Sequence, residues 1–485
     1  MNRREAINRL SLSTAAVLTG CLSSTSKPSS EGDTFPIVIE NGKVFTDGKL
    51  LLRNVGITAE GRIHLSESPL AGAEVVDATG CIVSPGFIDI LADGPKDLSE
   101  NYRIFEQFKL TDGVTTTLQL HGGRDNPSDY HRFFDPKPHY TNYGVGIYVM
   151  GVRGIAETIP DRLKHVEKML EEGALSVSHS LEYQPTPYNE VRAYAQLAKK
   201  YNRPMFLHLR YSSREQELAG VKEGIRLAKE TGVRMHLDHL HSTGGTFHME
   251  QALELIGKAR QSGLEITTCV YPYSYWATYV HSKRFDDGWM ERYGLGYQDL
   301  RLVGTNKRLT PESFAYYRKH PGYLVAVPDG AMPFDKTIDL ALQTDFCLIG
   351  SDGGIVSVES ANSHPRGAGC FATALAHARR INMPLEKILP KMTTLPAKLV
   401  RPALKGRGEI AEGAIADITV FDPEKVDGLA TVENPNQQSA GIRAVILNGE
   451  VAYADGKIRG EKGKPIRNPR PAPNKPVAAR ASGRA

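Results

Sequence analysis

Eight short apolar runs, most of them separated by amphipathic helical stretches, fill about 270 residues in the middle of this 485-residue chain. The runs are PGFIDIL, VTTTLQLH, YGVGIYVM, ALSVSHSL, RPMFLHL, RMHLDHL, LEITTCV and FCLIGSD. Between them lie stretches such as DRLKHVEKMLEEG, NEVRAYAQLAKKY and REQELAGVKEGIRLAKETG, whose apolar residues recur at helical spacing. This alternation predicts an α/β fold, a (β/α)8 TIM barrel. An open, doubly wound sheet is the alternative. It offers no reason for polar residues to close so many strands.

The flanks have a different texture. Residues 35–84 and 403–458 alternate short apolar runs with Gly and Asp turns, as in FPIVIENGKVF, AEVVDATGCIVSPG, ADITVFDP and AGIRAVILNGEVAYADGK. Those are strand signals, so a small β-sandwich built from both ends is expected beside a barrel over 85–402. A long connection over 271–344 carries dense aromatics in YPYSYWATYV, WMERYGLGY and FAYYRKHPGYL. A loop of that length either covers the barrel mouth or packs a small core of its own.

The formal net charge of +4 conceals an acidic body. Residues 1–30 contribute +3 and residues 459–485 contribute +7, which leaves −6 for everything between. That balance argues against a nucleic-acid surface. The basic end, RGEKGKPIRNPRPAPNKPVAARASGRA, is Pro-rich and is expected to be disordered over 459–485. The start is basic, then apolar and small, then Leu18-Thr19-Gly20-Cys21, the order of an export signal over 1–21. LTGC resembles a bacterial lipobox, which predicts lipidation of Cys21, a tether over 22–34, and a periplasmic or cell-surface protein anchored to a membrane. An ordinary signal with a chance Cys is the alternative. No CxxC spacing exists, so the cysteines support neither a zinc ribbon nor a disulfide framework.

Three of the barrel runs close on residues that carry chemistry: His208 after PMFL, His239 after HLD and Asp352 after LIGS. Adjacent strands can present two neutral imidazoles to one ion, and such donors suit Zn²⁺. Each residue also has a plainer reading, as a hydrogen-bonded strand end or a helix cap.

Here the chain resembles the amidohydrolase superfamily, and within it the N-acyl-D-amino-acid deacylase (D-aminoacylase) group. The likeness runs from about residue 36 to 460 through SPGFID, DGVTT, SLEYQP, the His208-Leu209-Arg210 triplet, DHLHSTGG, YPY, GSDGG, HPRGAG, MTTLPA and GEIAEGAIADITVFDP. It implies zinc-assisted hydrolysis of a linear amide in a small substrate that bears a carboxylate. His208 and His239 would be metal ligands, Asp352 the proton carrier and Arg366 the carboxylate-binding arginine. Tyr183, His241 and His179 are further candidates for contact with substrate.

The departures are as informative as the matches. The family's first-strand His-x-His is Leu91-Ala92-Asp93 here. Its second-strand Cys is Gly122, with His121 just before it, and its Lys after the sixth-strand His is His241. The expectation is a rebuilt site for one zinc ion, held by His208 and His239 with help from His121 or Asp93. A binding protein that has lost metal and catalysis, and a cyclic-amide hydrolase or isomerase, are the rival readings.

Overall fold

The expected barrel strands pair side by side in chain order, all eight parallel. They are Phe87–Asp89, Val114–Arg124, Asn142–Tyr148, Val177–Ser180, Met205–His208, Met235–Leu237, Ile266–Val270 and Cys347–Ile349. The structure is a computed structural model that describes residues 34–94, 101–354 and 364–469. The ring closes where Ala92 bridges Gly353 and the Asp93 N–H donates to the Gly353 carbonyl at 3.1 Å. A buried ion pair ties the same two strands: Lys109 Nζ lies 2.8 Å from Asp89 Oδ2 and 2.9 Å from Ser351 Oγ. These contacts make the sheet a barrel rather than an open doubly wound sheet.

Strand parity decides which residues look inward. Phe206 pairs with His236, and Leu207 with Leu237. Phe206 packs with Leu118, Leu120, Cys269 and Leu348 inside the barrel, whereas Leu207 and Leu237 pack with helix residues such as Val221 and Leu227 outside. His208, two residues after Phe206, therefore points into the mouth.

Both ends of the chain contribute to the flanking β-structure. A four-stranded sheet runs in the order Ile63–Ser66, Asn54–Ile57, Thr34–Glu40, Ala71–Asp77. A seven-stranded sheet sets Ile418–Phe421 between Ile442–Leu447 and Ile82–Pro85, so late and early residues share one sheet. Ile37, Ile39, Val55 and Ile57 of the first sheet meet Val44, Val83, Val420 and Ile446 of the second in one core.

The long connection answers to both of its readings. Its strands Ala277–Tyr279, Arg301–Leu302 and Leu324–Ala326 form a small antiparallel sheet. Its aromatics Phe285, Trp289 and Phe314 pack on one another with ring centroids 5.3–5.9 Å apart. Residues from the same segment also wall the cavity at the barrel mouth.

Within the basic tail, residues 459–469 depart from expectation. Residues 459–469 follow the barrel, with the Ile466 N–H donating to the Tyr143 carbonyl at 2.7 Å and the Asn468 N–H to the Gly173 carbonyl at 3.1 Å. Composition reports on side chains, but this segment is held by its backbone. Cys21, the predicted signal and the predicted tether up to residue 33 lie outside the described residues, as do residues 470–485. Among the described residues no helix is long and apolar enough to cross a membrane.

Candidate metal centre at the barrel mouth

Two of the three key side chains reach the mouth only because the backbone breaks strand alternation. On the sixth strand His236 and Asp238 share the inward parity, so His239 would face outward with Leu237. It has φ 25°, in the left-handed region, and its N–H donates to Cys269 Sγ at 3.2 Å. On the second strand Gln119 pairs with Val145 but Arg124 with Ile147, so the extra residues bulge out of the ladder. The bulge turns at Gly123, φ 65°, where a Cβ would lie 2.4 Å from the Gly146 carbonyl oxygen. His121 sits in this bulge. Asp352 also has positive φ, 48°. Non-glycine residues in this region are strained, and such strain gathers at functional sites.

The result is a triad of imidazoles. One ligand atom from each of His121, His208 and His239 lies within 4.8 Å of the others, and ring centroids are 4.9–5.6 Å apart. Each ring is held from behind. Asp238 Oδ2 accepts from His121 Nδ1 at 2.7 Å, Glu182 Oε2 lies 3.0 Å from His208 Nε2, and Ser242 Oγ lies 3.1 Å from His239 Nδ1. Carboxylate and hydroxyl partners of this kind orient metal-binding histidines. His208 Nδ1 is buried with no hydrogen-bond partner, a donor atom left open.

Charge is distributed unevenly over the triad. Burial and the neighbouring His208 and His121 push His239 well below the usual imidazole range. Burial likewise lowers His208, against the pull of Glu182. Burial acts against His121 too, but Asp238, Asp352 and Asp93 outweigh it and raise that imidazole to about 9. Burial would raise the Glu182 carboxyl, yet Arg284, His208 and Ser212 together hold it down at about 2.

Asp352 stands beside the triad, with Oδ1 3.8 Å from His121 Nε2 and Oδ2 3.7 Å from His239 Nε2. Arg366 Nη2 pairs with Asp352 Oδ2 at 2.8 Å, and its guanidinium lies 4.4 Å from the centre of the Tyr271 ring. The triad, Asp352 and Arg366 open on a cavity of about 610 Å³, walled also by Tyr183, Asp93, Trp276 and Arg284.

Of the residues proposed from sequence, His121, His208, His239, Asp352, Arg366 and Tyr183 are thus gathered in one place. Asp93 lines the same cavity but does not join the cluster of donor atoms, so the third imidazole is His121. Leu91 is buried in the barrel interior. Two candidates fall outside the cavity wall. His179 pairs with Leu207 on the outer face and bonds Thr186 Oγ1 at 2.7 Å; burial, then Arg153, drives it down to about 3. Its neighbours Ser178 and Ser180 hold the inward parity instead. His241 lies wholly buried against Tyr271, ring centroids 4.1 Å apart, in the one-turn helix Leu240–Ser242 that follows the sixth strand.

Glu182, Asp238, Ser242 and Arg284 were not foreseen. Asp238 and Glu182 lie inside DHLHSTGG and SLEYQP, so the motifs held the signal. Arg284 has no local signal, because it arrives from the insertion.

Comparison with known proteins bears on the fold and on similarity along the chain. Residues 328–453 match the model of the amidohydrolase family. That stretch carries the amidohydrolase match, and the chain as a whole is similar to D-aminoacylases along most of its length. It is 27% identical to N-acyl-D-glutamate deacylase of Alcaligenes xylosoxydans xylosoxydans, over 85% of this chain and 92% of that one. D-aminoacylase of the same organism is 23% identical over 89% and 97% of the two chains. A dihydroorotase of Lactobacillus johnsonii is 22% identical over 88% and 99%. Among solved structures, N-acyl-D-glutamate deacylase from Bordetella bronchiseptica, complexed with zinc and a phosphonate inhibitor, has the same fold. Its TM-score is 0.75 at 23% identity, covering 90% of this chain and 100% of that one.

Proposed function

We propose that this amidohydrolase uses a single divalent ion, zinc, to cleave the linear amide of an N-acyl amino acid, with N-acyl-D-amino acids as the first candidates. The observation that carries the reading is the convergence of His121, His208 and His239 within 4.8 Å beside Asp352. Three imidazoles and a nearby carboxylate fit a catalytic zinc site, which keeps an open position. The unpartnered His208 Nδ1 fits the same assignment. When bound, the ion supplies Lewis acidity toward water and the amide carbonyl.

The chain's own residues do the rest. Asp352 is placed to accept a proton from the attacking water and return it to the departing amine. Arg366 spends Nη2 on Asp352, while its Nε is buried without a partner. A guanidinium can meet a carboxylate through two parallel bonds, which suits a substrate carboxylate in this cavity. The named activities of the deacylase relatives support the substrate class.

Cyclic amides are a second reading, favoured by the dihydroorotase relatives. The test is a screen of the zinc-loaded protein against N-acyl-D-, N-acyl-L- and cyclic-amide substrates, followed by Asp352→Asn. That change keeps the shape but removes the proton acceptor, so metal should stay while turnover falls by roughly 10²–10⁴-fold. Turnover that survives the change would refute the assigned role. Cleavage of cyclic amides alone would select the second reading.

We also infer from its sequence that the protein is exported and anchored through lipid on Cys21. Mass spectrometry of the mature N-terminus tests this, and an unmodified start downstream of Cys21 would refute it.

A further inference from the structure

The roof of the cavity is not an independent cover, and one of its side chains shows why. Arg284 lies in the one-turn helix Lys283–Phe285 of the insertion and is 4% exposed. Its neighbour Phe285 is locked between Trp276, Trp289 and Phe314, so the backbone at Arg284 is fixed by the insertion's own core. From there the guanidinium crosses to the barrel. Nε and Nη2 donate to Glu182 Oε2 at 3.2 and 3.0 Å, and Nη2 also reaches Ser212 Oγ and the Ser242 carbonyl, each at 3.0 Å.

The two ends of that contact are the partners of two histidines. Glu182 Oε2 sits 3.0 Å from His208 Nε2, and the Ser242 hydroxyl 3.1 Å from His239 Nδ1. Ser212 Oγ adds a 2.7 Å bond to the same Glu182 oxygen. Glu182, with a side chain only 14% exposed, gains from a counter-charge that keeps it in place. Arg284 supplies it and is itself seated 4.8 Å from the centre of the Trp276 ring.

We propose that Arg284 is a positioning residue of the metal centre, holding Glu182 against His208 and Ser242 against His239, so that seating of the insertion and geometry of the triad form one unit. The proposal rests on reading the three histidines as metal ligands. It goes further by placing a determinant of metal affinity in the insertion, on a side chain that supplies no ligand atom. A roof that merely shields the cavity would not need a cation bonded to the ligands' partners.

The experiment measures zinc affinity of the full chain by competition with a chromogenic chelator, for wild type, Arg284→Ala and Arg284→Lys. Arg284→Ala should weaken zinc by roughly 10–100-fold, the scale for loss of groups that orient metal ligands. Guanidinium ion at tens of millimolar should restore most of that loss, and sodium at equal ionic strength should not. Arg284→Lys keeps the charge but not the forked donors, so its affinity should fall between the two. Wild-type affinity in Arg284→Ala overturns the proposal, as does a loss that guanidinium cannot repair, because the role is then packing. Should Arg284→Ala fail to fold, Arg284→Lys decides, and an unchanged affinity there overturns the proposal. If wild type itself binds no zinc, the metal-site reading fails and this inference with it. If wild type binds and the variants match it, this inference fails alone.

Discussion

Asp238 offers the cleanest separation of orientation from ligation. Its Oδ2 accepts from His121 Nδ1 at 2.7 Å, and its Oδ1 is buried with no partner. The carboxylate therefore acts on the triad through one bond, which fixes the ring and leaves Nε2 as the free donor on the side of Asp352. Replacing it should not remove a ligand. Asp238→Asn keeps an amide oxygen that can still accept from Nδ1, whereas Asp238→Ala leaves the imidazole free to turn and to change tautomer. Loss of an orienting group costs about 10–100-fold in metal affinity, or about 1.4–2.8 kcal/mol. The asparagine variant should sit near the lower end and the alanine variant near the upper. Chelator competition at fixed pH measures both, with circular dichroism as the check on fold. Zinc affinity within twofold of wild type in Asp238→Ala would show that His121 is not a ligand oriented in this way.

His121→Ala should lose zinc altogether, while Asp93→Asn should retain it, since Asp93 lines the cavity outside the donor cluster; metal analysis after dialysis decides, and the reverse pattern would move the third ligand to the first strand. Lys109→Met leaves Asp89 as a buried carboxylate without its cation, at the seam where the first and eighth strands meet. Breaking such a pair costs about 3–5 kcal/mol, which chemical denaturation would detect, and because Asp89 keeps the Ser351 hydroxyl and two N–H donors the lower value is expected. An unchanged denaturation midpoint would show that the pair does not hold the seam.

The sequence made the barrel legible because its period is local. Each strand and each amphipathic helix is written in one short window, and chain order equals sheet order. Strand ends were equally legible, so His208 and Asp352 could be named from their apolar runs. What failed was parity. His179 reads as a strand-end histidine, yet it shares the outer face with Leu207, and only the register against the fifth strand shows this. Residues 459–469 differ from expectation for a related reason: composition says nothing about backbone bonds such as that from Ile466 to Tyr143.

Under the proposed reading, His121 would rebuild a site from which the expected ligands are gone. The imidazole that joins the donor cluster is not at position 122, where the resemblance places a Cys and this chain has Gly122, but one before it. A regular strand would turn His121 away from its inward neighbours Leu118 and Leu120. The bulge, with Gly123 close against the Gly146 carbonyl, cancels that rotation and delivers the imidazole to His208 and His239. A motif search scores position 122 and finds a loss, but the backbone converts position 121 into a gain. The same logic governs His239, whose φ of 25° overrides its outward parity. In both cases the local rule fails at the donor cluster, and in both a long-range contact secures the exception: Asp238 for His121 and Cys269 for His239.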